Sequence, residues 1–224
     1  MTSPPIARVL VEACVTSAAE AAACFAAGAS RVELCRRLDV GGLTPDGADV
    51  REARALAGGP VFAMARSREG SFRVAPAELA ALIETVSTLT RAGANGIVVG
   101  VLDARGRVDA AALRDLVAAA DGRPVTFHRA FDELDDPLTG LETLLRCGVH
   151  RVLTSGGASQ AWEGRSMLRA LVSVAGGSLT VLAGGRVRAD HVARLIEETG
   201  VTEVHARASA VPGLVGALGR ERRT

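Results

Sequence analysis

Lysine is absent from this chain: all 26 basic residues are arginine. With abundant alanine and glycine, this reflects the bias of a GC-rich coding sequence and carries no functional message. The formal net charge is +1, and only the closing GRERRT is basic, so charge gives no ground for a nucleic-acid partner. The start, MTSPPIAR, lacks the apolar core of a signal peptide, and no alanine-rich stretch approaches a membrane span. A cytoplasmic protein without a membrane partner is expected. Its four cysteines are then expected as free thiols. No nearby C-x-x-C or H-x-x-x-H pattern supplies a zinc site. No linker or composition shift divides the chain, so one domain over residues 1–224 is expected, with flexible tails at 1–7 and 220–224.

What is present is a repeat. β-Branched runs occur at 8–14, 30–35, 60–66, 95–100, 124–130, 150–156, 179–184 and 202–206, each bounded by Gly, Pro, Asn or Asp. Helix-compatible segments lie between them, including 17–27, 76–92, 137–147, 160–175 and 189–199. Several open on a capping serine or a first-turn proline and stop at glycine. Strand, helix and glycine in this order make parallel βα units. Their number predicts a closed (β/α)₈ TIM barrel with a short final helix. An open doubly wound sheet would carry a glycine fingerprint after the first strand, and CVTSAAEA has none. The thin last unit predicts poor cover outside strands eight and one, and hence a homo-oligomer interface there.

In such barrels the working groups sit at the carboxyl ends of the strands. Residues two apart share a strand face, so Glu12 goes with Cys14, Glu33 with Cys35, and Glu203 with His205. Buried carboxylates need partners, and arginines are expected nearby. Cys14 and Cys35 end neighbouring strands on equivalent faces. Two such thiolates suit a soft ion such as Cu(I), although cysteine also serves as a small buried hydrophobe, and spacing alone favours that packing role. Cys24 and Cys147 read as packing residues.

The stretch TFHRAFDEL places His128, Arg129 and Asp132 at the end of strand five, where a histidine beside an acid acts as a base, a ligand or a hydrogen-bond hub. Arg66 and Arg68 form a candidate anion clamp. Ser155, Gly156 and Gly157, and then Gly184 and Gly185 beside Arg186, offer backbone amides that would cradle a phosphate or simply make tight βα turns. A small anionic or phosphorylated metabolite is therefore an alternative ligand, with His128 as its proton-transfer group.

VEACVTS, RVELC, GGLTP, RSREGSF, GVLDARGRVD, VTFHRAFD and RVLTSGG, in this order over about residues 8–206, resemble the CutC copper-homeostasis family. The resemblance implies a cytosolic TIM barrel linked to copper tolerance, with Cys14 and Cys35 as copper-binding thiols. It leaves Glu12, Glu33, Arg66, Arg68, His128, Arg129 and Asp132 as pocket residues, to which the position of His205 at the end of strand eight adds that histidine. Ser67 replaces a usual proline, HARAS at 205–209 departs from the family's His-x-Ser pattern, and the C-terminal helical region is shortened.

Overall fold

In the computed structural model residues 9–220 are described; the expected tails lie outside them, except that the backbone of Arg220 closes the last helix. The strands are β1 Leu10–Val15, β2 Arg31–Leu34, β3 Val61–Met64, β4 Gly96–Val99, β5 Val125–Phe127, β6 Arg151–Thr154, β7 Thr180–Ala183 and β8 Glu203–Arg207. All pair in parallel, in sequence order, and β8 returns to β1 to close the expected barrel. The helices that follow them are α1 Ala18–Ala26, α2 Gly47–Leu56, α3 Pro76–Arg91, α4 Ala110–Ala119, α5 Pro137–Arg146, α6 Arg165–Ala175, α7 Val192–Thr199 and α8 Val211–Arg220. None of the described helices is long and apolar enough to cross a membrane.

Local chemistry sets these elements. Ser17 caps α1 by accepting the Glu20 N–H at 3.2 Å. Proline opens α3 and α5, and Asp136 caps the latter through the Thr139 N–H at 3.1 Å. On the strands, Val11, Ala13, Val15, Val32, Leu34, Ala63, Ile97, Val99 and Phe127 point outward and bury against the helices. Each fully buried aliphatic or aromatic side chain contributes roughly 1.5–3 kcal/mol. The alternate positions point into the barrel, and there the apolar content is small: Cys35, Phe62, Met64 and Val98 cluster together beneath Leu38.

Three expectations are corrected. The run 124–130 is not all strand: β5 stops at Phe127, and Arg129–Glu133 is a 3-10 turn that buries Phe131. The helix expected over 160–175 starts only at Arg165, because Gly164 is pressed against the β6 loop, where an added Cβ would lie 1.9 Å from the Ser155 carbonyl oxygen. The outer face beside β1 is not thinly covered. Helix α8 buries Val211, Leu214 and Ala217, and its Val215 packs so closely on Gly28 that a Cβ there would lie 2.9 Å from it. A cleft of about 210 Å³ lined by Val9, Val11, Gly28, Val215 and Leu218 remains between α8 and β1.

Candidate functional site

The inward face of the first strands begins with charge. Arg31, at the start of β2, is 6% exposed; its Nε donates to Glu12 and its Nη2 donates to Glu203 at 2.5 Å. Phe62 lies between Arg31 and Arg151, with the two guanidinium carbons 5.0 and 4.4 Å from the ring centre. Of the arginines expected near the buried carboxylates, Arg31 is the one that pairs with them. Its signal was present in the two-residue strand period, since 31, 33 and 35 share a face.

From this floor a relay climbs to the mouth. Glu12 Oε1 lies 2.8 Å from Nδ1 of His205, on the neighbouring strand β8. Burial alone would raise the Glu12 carboxyl, but Arg31 and His205 outweigh it and hold it at about 2. Burial would lower the His205 pKa; the Glu33 charge, with hydrogen bonds to Cys14 and Glu12, pushes it well above the ordinary value instead. Among the described residues Glu33 has no guanidinium in direct contact, and its Oε2 is buried without a partner. Burial, with the Glu12 charge, pushes its carboxyl up to about 7. One ligand atom from each of Glu12, Glu33 and His205 lies within 4.8 Å of the others, close enough to surround a metal ion.

The two cysteines part company. Cys14 lines the mouth with Glu33, Met64 and His205. Cys35 is fully buried just past the end of β2, among Phe62, Met64 and Val98, and its thiol donates to the Val15 carbonyl at 3.7 Å. Burial, reinforced by Glu33, raises its pKa and keeps it a thiol. Cys35 does not line the cavity and packs in the apolar cluster, whereas Cys14 faces the mouth. Cys24 and Cys147 are also buried.

The mouth is a cavity of about 660 Å³ over the carboxyl ends of the strands. It brings together Cys14, Glu33, Arg66, His128, Arg129, Asp132, Gly185, Arg186 and His205. Of the expected pocket residues Glu12 lies outside this lining, and so does Arg68. It turns outward to Glu78 at the start of α3, 2.8 Å away, because that carboxylate already accepts the Ala75 N–H and offers a fixed partner. Arg66 bridges two loops, donating to the carbonyls of Val40 and Gly42, at 3.0 and 3.3 Å, and of Gly70 at 3.1 Å. Leu38, Phe72, Arg188 and Arg207 also line the mouth and were not singled out by the sequence.

The expected anion cradle after β6 is corrected as well. Its amides are taken by the chain itself. Asp132 Oδ1 accepts the Ser155 N–H at 3.0 Å and the Gly157 N–H at 3.1 Å, while Gly156 donates to Thr154 Oγ1 at 2.8 Å. Arg129 completes the cluster, 2.7 Å from Asp132 and 2.9 Å from Ser155 Oγ. Asp132 thus acts as the internal anion of that loop. The Gly184 N–H is used by the Thr154 carbonyl at 2.9 Å, so of the glycine amides proposed for an anion only that of Gly185 stays at the mouth.

His128 is 4% exposed and stands over Gly100, where an added Cβ would fall 2.2 Å from the imidazole. Gly100→Ala is therefore expected to destabilise the fold by about 1–3 kcal/mol and to displace the ring. Urea melts, with the imidazole resonances as a local reporter, check this; an unmoved ring and an unchanged midpoint would contradict the contact.

Comparison with known proteins follows the same lines. Residues 9–210 match the model of the CutC family. A CutC family protein from Caulobacter vibrioides is 40% identical over 218 residues, 95% of this chain and 89% of that one. A human protein named copper homeostasis protein cutC homolog is 38% identical over 199 residues, covering 89% of this chain and 73% of its own. The solved CutC structure from Streptococcus agalactiae superposes with a TM-score of 0.82 at 30% identity, over 88% of this chain and 97% of that one.

Proposed function

This chain belongs to the CutC family, and from that premise we propose that it serves copper homeostasis by holding Cu(I) as cargo at the mouth of the barrel, with Cys14 as the thiolate ligand. The observation that carries the reading is the setting of Cys14 beside His205. Glu12 engages Nδ1 of that ring, which leaves Nε2 as the coordinating side. A carboxylate behind a ligating imidazole is the usual way in which a metal-bound histidine is oriented. Thiolate and imidazole suit copper, and Met64 adds a thioether to the same cavity. The hard carboxylate of Glu33 accounts for the charge balance rather than for copper preference. Four buried cysteines, all free, suit a reducing compartment, and on that ground we place the protein in the cytoplasm.

Competition with a chromogenic Cu(I) chelator tests this reading. Cys14→Ser is expected to weaken binding by roughly 10–100-fold or more. Cys35→Ser should change it little, because that thiol is committed to packing. Equal losses in the two variants would restore a site bridged by both thiols. Unchanged affinity in Cys14→Ser would refute the site altogether. Affinity is expected to rise with pH, since the Cys14 thiol and the His205 imidazolium must both give up protons to bind the ion.

A further inference from the structure

On the β3–β5 side of the mouth, a stack of side chains ends in a hydrogen-bond donor with nothing to bind. Nδ1 of His128 accepts the Ala130 N–H at 3.1 Å, which puts the ring proton of the neutral imidazole on Nε2. Nε2 is buried and has no partner, although the ring lines the cavity. The ring cannot turn away to find one. Gly100 presses it from beneath, and Phe72 lies 4.9 Å from it, centre to centre. Arg66 packs on the same phenyl ring at 4.7 Å, and its Nε is likewise buried without a partner. Two unanswered donors therefore share one wall, and such groups are retained at a cost unless a ligand completes them.

The charge of the mouth has the same sign. Arg129 is committed to Asp132, but Arg66, Arg186, Arg188 and Arg207 enter no ion pair among the described residues. Glu133 and, deeper in the cavity, Glu33 are the carboxylates of the lining that enter no ion pair among the described residues. Arg186 adopts a left-handed backbone, φ +55°, in the loop after β7, and strain of this kind in a non-glycine residue gathers at ligand-binding loops. Barrels of this class commonly seat an anion between the loops after strands seven and eight, where Gly185, Arg186 and Arg207 stand.

We propose that the mouth binds a small organic anion, a carboxylate or a phosphate ester, one oxygen of which accepts the Nε2–H of His128 while its charge lies against Arg66, with Arg186 and Arg207 facing it from the β7–β8 rim. A cation finds no acceptor at His128 Nε2 or Arg66 Nε, the two buried unpartnered atoms here. Burial and the neighbouring Arg66 push the His128 pKa down to about 3, so the imidazole stays neutral and keeps this single donor at physiological pH. A cavity of about 660 Å³ accommodates a metabolite-sized ligand. The His128 and Arg66 donors lie across the mouth from Cys14 and His205, and only Arg207, the register partner of Cys14, stands near the copper ligands.

The test is calorimetric titration of the copper-free protein with inorganic phosphate and, separately, with succinate. The anion that saturates identifies the headgroup. His128→Leu is expected to weaken binding roughly tenfold, whereas His128→Gln, which keeps an N–H donor, should retain most of it. Direct observation of the His128 Nε2–H resonance in the unmodified protein guards against misfolding of the variants, since that proton should shift on titration. Saturable binding that is indifferent to His128→Leu, an unmoved Nε2–H at saturation, or no saturation by either anion would each overturn the proposal. Copper affinity is measured separately, so failure of one site leaves the other standing.

Discussion

Arg31→Met is expected to cost about 3–5 kcal/mol of folding stability, the largest effect of any substitution considered. The guanidinium is buried between two carboxylates: when it goes, Glu203 loses its ion-pair partner and Glu12 is left with His205 alone. A buried pair contributes little net stability compared with an apolar isostere, yet removing one member strands the other. Methionine keeps the length of the stem but supplies no donor. Denaturant unfolding at neutral pH measures the loss. Adding Glu12→Gln to Arg31→Met should recover part of it, because one uncompensated charge disappears and the two changes are coupled. A loss below about 1 kcal/mol would mean that water reaches the cluster and screens its charges.

The second large effect depends on pH and has the opposite sign. Glu33→Gln is expected to stabilise the protein by up to about 3 kcal/mol above neutrality and by very little near pH 4. The Glu33 carboxyl is pushed up from an ordinary 4.5 to about 7, first by burial and then by Glu12. An acid whose folded pKa is raised favours the folded state below its unfolded pKa, and that advantage disappears as pH climbs from about 4.5 to about 7. His205, also raised, loses its contribution in the same direction, as pH rises from its ordinary value of 6.5 toward its folded one. Glu12 behaves oppositely. Held at about 2, it stabilises the fold above 4.5 and loses that contribution as pH falls through the interval. The wild-type stability maximum is thus expected between these limits, in mildly acidic solution. Glutamine at position 33 also removes the charge that holds up the His205 pKa, so the gain falls short of the full figure. Unfolding free energies across this pH range decide the matter; a gain of equal size near pH 4 would show that packing and not charge is responsible.

The barrel was largely legible because its signals are local. Capping at Ser17, the prolines that open α3 and α5, and the regular return of β-branched runs each depend on neighbours in the chain. The two-residue strand period also sorted Glu12, Cys14, Glu33 and His205 onto the inner face, where they lie. Legibility ended where two distant segments compete for one group. The TSGG loop has the composition of an anion cradle, but Asp132, more than twenty residues earlier, fills it. Arg68 has the composition of a clamp, but Glu78 draws it outward. Cys14 and Cys35 share a local motif, yet β2 ends one residue before Cys35 and carries its thiol beneath the apolar cluster of Phe62, Met64 and Val98.

What the amino-acid order decided alone is therefore the succession of strands and helices, the membership of the inner wall, and the kinship carried by its motifs. What needed the closed barrel is partnership: Arg31 between Glu12 and Glu203, His205 behind Cys14, and His128 with a donor and no acceptor. The reason is the range of the forces involved. Backbone propensity and side-chain alternation act over a few residues, whereas hydrogen bonds and ion pairs act over a few ångströms, and only closure of β8 on β1 brings residues 12 and 205 within that reach.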